Sequence, residues 1–296
     1  MSTEGKTPDL RPPTPSFWQA LGRIDRRVIY LVLATVVIVP LIVPLKLMKD
    51  VSPRAREVFT AIDNLKDTGR PLMLSVDFDP ASLPELYPML ISMIRHAFAR
   101  NIKVIVLGLW PNGTGLGQQA LNQAAGEYSK QDGVDYVFLG YKAGVDAVIL
   151  GLGENIKAVF PKDGNGRALD SLPMMASIRK LADIGFIVSL SAGTPGYADW
   201  LLYAQSRYKA RMAAGSTAVQ AADAYPYLQT GQLTGLLAGM KGAAEYEFMV
   251  SQHGFSKAKM TAAPAMDPQS LAHLAIILLV IIGNIGFFAD RRRGKA

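Results

Sequence analysis

The chain has 296 residues, no cysteine and a formal net charge of +7, and half of its residues are hydrophobic. The lack of cysteine excludes disulfides, thiolate nucleophiles and Cys-ligated metal sites. The basic excess is not a nucleic-acid footprint, because much of it flanks two apolar segments and the middle has no basic stripe with interleaved aromatic residues. We therefore expect no nucleic-acid partner.

Two long apolar segments predict transmembrane helices. The first covers residues 28–46 and carries no charge from Val28 to Leu45; the second covers residues 270–289. Each is long enough for a hydrocarbon core of about 30 Å. A buried core helix is the alternative for either segment, and a cleaved signal peptide is the alternative for the first. The long charged lead and the lack of a small-residue cleavage site favour an uncleaved anchor.

The basic residues beside the spans predict the orientation. Four of the last seven residues are Lys or Arg, which places the C-terminus in the cytoplasm. With two spans, both termini are cytoplasmic and the middle lies outside the inner membrane, with the lipid bilayer as a partner. The predicted organisation is a cytoplasmic tail with an interfacial helix (1–27), a span (28–46), an extracytoplasmic domain (50–260), a linker (261–269), a span (270–289) and a cytoplasmic basic tail (290–296).

Between the spans, short apolar runs alternate with segments of helical periodicity. This alternation predicts an α/β domain with a mostly parallel, doubly wound sheet of Rossmann- or flavodoxin-like type. The predicted strands are 71–79, 103–110, 134–141, 145–153, 185–193 and 215–220. The predicted helices are 53–66, 84–100, 116–129, 172–183, a helix through Trp200 to Arg211, and 228–247.

The predicted strands end in polar, glycine-rich segments. In a doubly wound sheet, ligands bind beyond the carboxyl ends of the strands, where the strand order reverses. We therefore predict a ligand-binding rim there, although the pattern does not name its ligand. Its residues are Asp77, Asp79, Trp110, Asn112, Thr114, Ser191, Thr194 and Asp223.

Asp77 and Asp79 are the strongest chemical pair in this rim. Two residues apart on a strand, their carboxylates face the same way, so they can hold Mg²⁺ or Ca²⁺ or act as a nucleophile and an acid/base. An apolar strand ending in Asp-x-Asp resembles the first motif of haloacid-dehalogenase-type phosphotransferases. Pro80 departs from that motif, and the acidic pair expected near the chain end is not evident, so we assign no family. The alternative is that both acids cap the next helix, and we predict no cofactor.

Three further patterns are less specific. The loop Asn112–Gly117 can cradle an anion, but it lacks the Lys-Ser/Thr of a P-loop. No G-x-S-x-G nucleophile elbow is present. The three histidines show no zinc-binding spacing, and we expect none of them to be catalytic.

A glycine stripe suggests a packing surface. On the predicted helix 228–247, Gly231, Gly235 and Gly239 recur every fourth residue and form a smooth face for another helix, with packing on the protein's own sheet as the alternative. We predict a non-catalytic binding or scaffolding subunit of a membrane complex, which contacts other membrane proteins or self-associates. The alternative is a membrane-anchored, metal-assisted hydrolase or transferase that uses Asp77 and Asp79.

Overall fold

The computed structural model describes residues 25–43, 45 and 50–293. The chain divides into two units, residues 46–266 and residues 1–45 with 267–296. The predicted interfacial helix falls on residues 16–27, so most of it lies outside the described residues, as do residues 294–296 of the predicted basic tail.

The first unit is built on a six-stranded, wholly parallel sheet. Its order, β3-β2-β1-β4-β5-β6, is that of a doubly wound Rossmann-like sheet, so the predicted α/β fold class is confirmed. The central strands are buried on both faces, which explains their continuous apolar runs. The strands are β1 (Leu72–Asp77), β2 (Val104–Gly108), β3 (Tyr136–Tyr141), β4 (Phe186–Ser191), β5 (Met212–Ser216) and β6 (Leu236–Ala238).

Helices cover both faces of the sheet and bury one apolar cluster on each. The first face carries α2 (Pro53–Asp63), α3 (Leu83–Ala99), α4 (Thr114–Tyr128) and α10 (Gly239–Gln252). The second face carries α5 (Val145–Glu154), α6 (Ile156–Val159), α7 (Tyr197–Trp200), α8 (Ser206–Tyr208) and α9 (Ala221–Gln229). A largely irregular stretch, residues 160–184, completes the second face.

Two buried glutamates of α10 hold the first and last segments of this unit. The Glu245 carboxylate accepts hydrogen bonds from Ser52 N (3.2 Å) and Ser52 Oγ (2.7 Å), and Ser52 is the N-cap of α2. The Glu247 carboxylate accepts from the backbone N–H groups of Thr261, Ala262 and Ala263 and from the Thr261 hydroxyl. A carboxylate is the preferred partner for the free N–H groups of a helix start.

The second unit contains α1 (Arg26–Ile42) and most of α11 (Ala262–Arg293). In the described part of the chain, one helix is long and apolar enough to cross a membrane, judged by length and composition alone: it covers Ala262–Phe288. Helix α1 has 17 residues and includes Pro40. Residues 262–269, predicted to be a linker, form the first turns of α11 instead, because alanines and Met266 continue the helix and Pro268 lies early in it.

Three secondary-structure predictions differ from the structure, and the predicted helix 228–247 is interrupted by a turn and by β6. Residues 145–153 were predicted as a strand but belong to α5, where Val148, Ile149 and Leu152 are buried at helical spacing. Residues 172–183 contain short 3₁₀ turns rather than a helix. The last predicted strand is shifted, since β5 ends at Ser216.

The predicted glycine stripe is wrong. Gly231 lies in a turn with φ +72°, Gly235 immediately precedes β6, and Gly239 begins α10 with φ +57°. The three glycines therefore do not share one helix face. A Cβ on Gly235 would lie 2.6 Å from the Arg54 carbonyl oxygen, so this glycine permits close packing of α2 inside the domain.

The Glu247 contacts generate a first prediction. Glu247→Ala leaves the N–H groups at the start of α11 unpaired, so we expect the free energy of unfolding to fall by roughly 2 to 3 kcal/mol. The measurement is denaturation of the full-length protein in mild detergent. Glu57→Ala, at an exposed position of α2, is the matched control. Equal stability of the two variants would contradict the assigned role of Glu247.

Candidate functional site at the carboxyl edge of the sheet

The winding of the sheet reverses between β1 and β4. After β1 the chain crosses to α3 on the first face, and after β4 it crosses to α7 on the opposite face. Doubly wound sheets bind their ligands at such a point, beyond the carboxyl ends of the two strands, and we call this region the β1/β4 crevice. Asp77 and Ser191 are the last residues of the two strands and are paired in register.

Asp77 is the central ionisable group of this crevice. Its side chain is fully buried; it accepts hydrogen bonds from the Ser75 hydroxyl (2.6 Å) and from Leu109 N (2.7 Å). The pKa of Asp77 is raised to about 7, chiefly by burial and to a smaller extent by the nearby carboxylate of Asp199, against the opposing effect of the hydrogen bonds from Ser75 and Leu109. A carboxyl group of this kind exchanges a proton near neutral pH.

Serines extend the polar surface across the neighbouring strands. The first row lies at the strand ends and contains Asp77, Ser191 and Ser216, which are paired in register on β1, β4 and β5. The second row lies two residues earlier along β1 and β4 and contains the paired residues Ser75 and Ser189. Residues two apart on a strand share a face, so both rows lie on the second face of the sheet. All five side chains are buried. We call these five residues the polar rows.

The indole of Trp200 covers this region. Trp200 is fully buried in α7, and its N–H lowers the pKa of Asp77 without forming a hydrogen bond of normal geometry. A π-helical turn, Leu201–Gln205, follows directly. Such turns are uncommon and are often found at functional sites.

The outer rim contains loops from two strands. Trp110, at the end of the β2 segment, packs against the glycine loop after β4, where its ring lies 3.4 Å from the Cβ position of Gly193. Gly113 lies against the end of β1, and a Cβ there would be 2.5 Å from the carbonyl oxygen of Val76. Only glycine at position 113 allows the loop after β2 to lie this close to the end of β1.

The structure brings only some of the predicted rim residues together. Asp77, Ser191 and Trp110 surround the crevice. Asn112 and Thr194 are exposed in the neighbouring loops. The predicted strand end at Asp223 is wrong, since this residue is exposed on α9.

The two predicted acids have separate roles in the structure. Asp79 accepts a hydrogen bond from Ala81 N (3.1 Å) and caps the turn before α3, as the alternative interpretation expected. The Thr114 hydroxyl donates to the Pro111 carbonyl (2.8 Å) and likewise stabilises a local turn. Within the described residues, no group of three or more His, Cys, Asp or Glu side chains is arranged to hold a metal ion. Asp77 and Asp79 therefore do not form one paired site: Asp77 is buried at the end of β1, and Asp79 caps the next turn.

Sequence reasoning missed Trp200, Ser75 and Ser216. A usable signal was present, because Ser75 and Asp77 are polar at alternate positions of an otherwise apolar strand, as are Ser189 and Ser191. Such spacing places polar groups on one buried face. No comparable local signal marks Trp200, which reaches the site only through the β4–α7 connection.

A second buried polar cluster lies at the other end of α3. His96 Nδ1 is 2.8 Å from the Tyr246 hydroxyl, its Nε2 is 3.4 Å from Asp63 Oδ1, and its ring stacks on Phe59. Burial lowers the pKa of His96 to about 4, against the opposing effect of Asp63, so the ring is neutral at physiological pH. This cluster connects α2, α3 and α10 and is enclosed by packed side chains, as expected for a structural role.

No protein-family model, curated protein or solved structure matches this chain.

The buried carboxyl group generates a second prediction. With the pKa of Asp77 raised from 3.8 to about 7, its contribution to stability is fully present below 3.8 and is lost as the pH rises through 7. Asp77→Asn removes this dependence. We expect the stability of the variant relative to wild type to rise by roughly 2 to 4 kcal/mol between about pH 4 and about pH 8.

Thermal unfolding of the full-length protein across this pH range provides the measurement. Asp79→Asn is the matched control, because asparagine also caps a helical turn. A pH-independent difference between Asp77→Asn and wild type would show that the carboxyl group is solvated or ionised throughout.

Proposed function

We propose that this chain is a membrane-anchored subunit of a membrane protein complex, and that its α/β domain binds a small ligand at the β1/β4 crevice. The observation that carries the binding role is the concentration of buried polar groups where the winding reverses. A core built for stability alone replaces such groups with apolar side chains, since each buried polar group without a full set of hydrogen bonds costs about 1 to 3 kcal/mol.

The anchoring role is supported by the apolar helix Ala262–Phe288. We extend it to two spans, with the segment 28–46 as the first, both termini in the cytoplasm and the α/β domain outside. Asn284 lies on the apolar helix, where its side-chain N–H₂ donates to the Val280 carbonyl (3.0 Å) and its oxygen is available to another helix. Amide side chains inside membranes commonly contact neighbouring helices. The partners proposed are the bilayer and other membrane proteins, or a second copy of the chain.

An enzyme is the second candidate, and the pKa of Asp77 favours it. A carboxyl group that titrates near pH 7 is suited to general acid–base catalysis. This candidate keeps the hydrolase or transferase class but relies on Asp77 alone, since Asp79 has a local capping role. Mg²⁺ or Ca²⁺ would need ligands beyond these two residues.

The third prediction separates the two candidates. We expect the full-length protein, purified from its own membrane in mild detergent, to co-elute with other membrane proteins in fixed stoichiometry. Asp77→Asn should keep these partners, because the carboxyl group is fully buried and therefore not in contact with a partner protein. Mass analysis of the eluate identifies what co-elutes.

A monomer without partners would overturn the subunit role. In that case the enzyme candidate requires a turnover that follows a pKa near 7 and is lost in Asp77→Asn while the fold is kept.

A further inference from the structure

The buried polar atoms without a partner are concentrated in one place. Within the described residues, six buried side-chain atoms have no hydrogen-bond partner, but two of them, in Asp132 and Arg167, form an ion pair with each other at 2.7 Å. The other four are Ser189 Oγ, Ser216 Oγ, Trp200 Nε1 and Gln220 Oε1. These four lie on β4, on β5, or on the segments that follow them at the carboxyl edge.

The sheet register places these atoms around the crevice. Ser216 is paired with Ser191, which is paired with Asp77, and adjacent strands are about 4.8 Å apart. The side chain of Trp200 is close enough to Asp77 to lower the pKa of its carboxyl group. Gln220 is held beside α7, because its backbone carbonyl accepts a hydrogen bond from the Tyr197 hydroxyl at 3.3 Å. The two serines and Asp77 therefore lie on three neighbouring strands, and Trp200 and Gln220 belong to the segments that follow β4 and β5 at the same edge.

The donor and acceptor pattern restricts the ligand. The indole N–H of Trp200 only donates, and the amide oxygen of Gln220 only accepts. The hydroxyls of Ser189 and Ser216 do both, and the carboxyl group of Asp77 donates or accepts according to its protonation. A complementary ligand must offer both donors and acceptors. An ammonium group offers donors only, so it leaves the indole N–H unpaired, whereas a phosphate dianion offers acceptors only, so it leaves the amide oxygen unpaired.

Charge excludes anions on separate grounds. The charged group that raises the pKa of Asp77 is another carboxylate, that of Asp199. Neither carboxyl group takes part in an ion pair among the described residues. An anion in this crevice would face two carboxyl groups without a compensating cation. The turn after β1, where dinucleotide-binding sheets carry their glycine fingerprint, reads Asp77-Phe78-Asp79-Pro80 and has no glycine.

We propose that the crevice binds an uncharged, hydroxyl-rich molecule of the polyol or monosaccharide class, with Trp200, Ser216 and Asp77 as its inner hydrogen-bond partners. Hydroxyl groups match every unpaired atom, because each one donates and accepts. Trp110 adds an aromatic surface at the rim, where an apolar ring face packs against the C–H groups of such a ligand. The inner atoms are closed off from solvent, so a ligand reaches them only when a segment that covers them moves.

This inference rests on the proposed binding function, and its test uses binding rather than partners. The full-length protein is held in a detergent without a sugar headgroup, and binding of myo-inositol, glucose, inorganic phosphate and putrescine is measured by equilibrium dialysis. We expect myo-inositol or glucose to bind. Ser216→Ala should weaken this binding about 3- to 10-fold through the loss of one hydrogen bond, with the fold intact because the hydroxyl has no protein partner. Ser92→Ala, at a buried serine of α3 on the opposite face, should bind like wild type.

Three results overturn the ligand class: no binding of either polyol, polyol binding that Ser216→Ala does not change, or binding of phosphate or putrescine that Ser216→Ala weakens. The third result keeps the binding role and changes only the ligand. The subunit role is decided separately, by the co-elution of membrane partners, so failure of one proposal is distinguishable from failure of the other.

Discussion

A wholly parallel sheet brings the carboxyl ends of all its strands to one edge, and the candidate site depends on this constraint. Because the connections after β1 and β4 cross to opposite faces, the chain leaves these two strand ends in different directions. The side chains at the ends of β1, β4 and β5 therefore converge although they are far apart in sequence. Asp77, Ser191 and Ser216 are aligned by backbone pairing alone.

This arrangement works against stability. Asp77 is fully buried with two hydrogen bonds, and four nearby polar atoms have no partner. The free energy of unfolding of a domain is only about 5 to 15 kcal/mol, so several such groups lower it by a large fraction. These unpaired polar atoms are the feature on which the proposed ligand site rests. The rest of the sheet is apolar and offsets this cost.

Helix α10 has a different role, in which buried charge is fully satisfied. Its residues Glu245 and Glu247 bind the start of α2 and the start of α11, so the first and last segments of the α/β unit are held by one helix. Glu247 receives bonds from three backbone N–H groups, and Glu245 also pairs with Lys241. Asp77 accepts hydrogen bonds from Ser75 and Leu109, and burial raises its pKa to about 7 in spite of them.

Local patterns in the sequence were enough to predict the apolar segments, the alternation of strands and helices, and the position of Asp77 and Ser191 at strand ends. These features depend on apolar runs and periodicity within a few neighbouring residues. The same patterns misjudged residues 145–153, since a short apolar run is compatible with a buried helix or a buried strand. They also misjudged the alanine- and glycine-rich β5, whose residues have low strand propensity.

Only the tertiary structure decided which residues form the site. The strand order and register align Ser216 with Asp77 across β4, and the β4–α7 connection carries Trp200 over them. It also separated Gly231, Gly235 and Gly239, whose regular spacing had suggested one helix face. The physical reason is that strand pairing joins residues more than a hundred positions apart, and no local periodicity encodes which strands become neighbours.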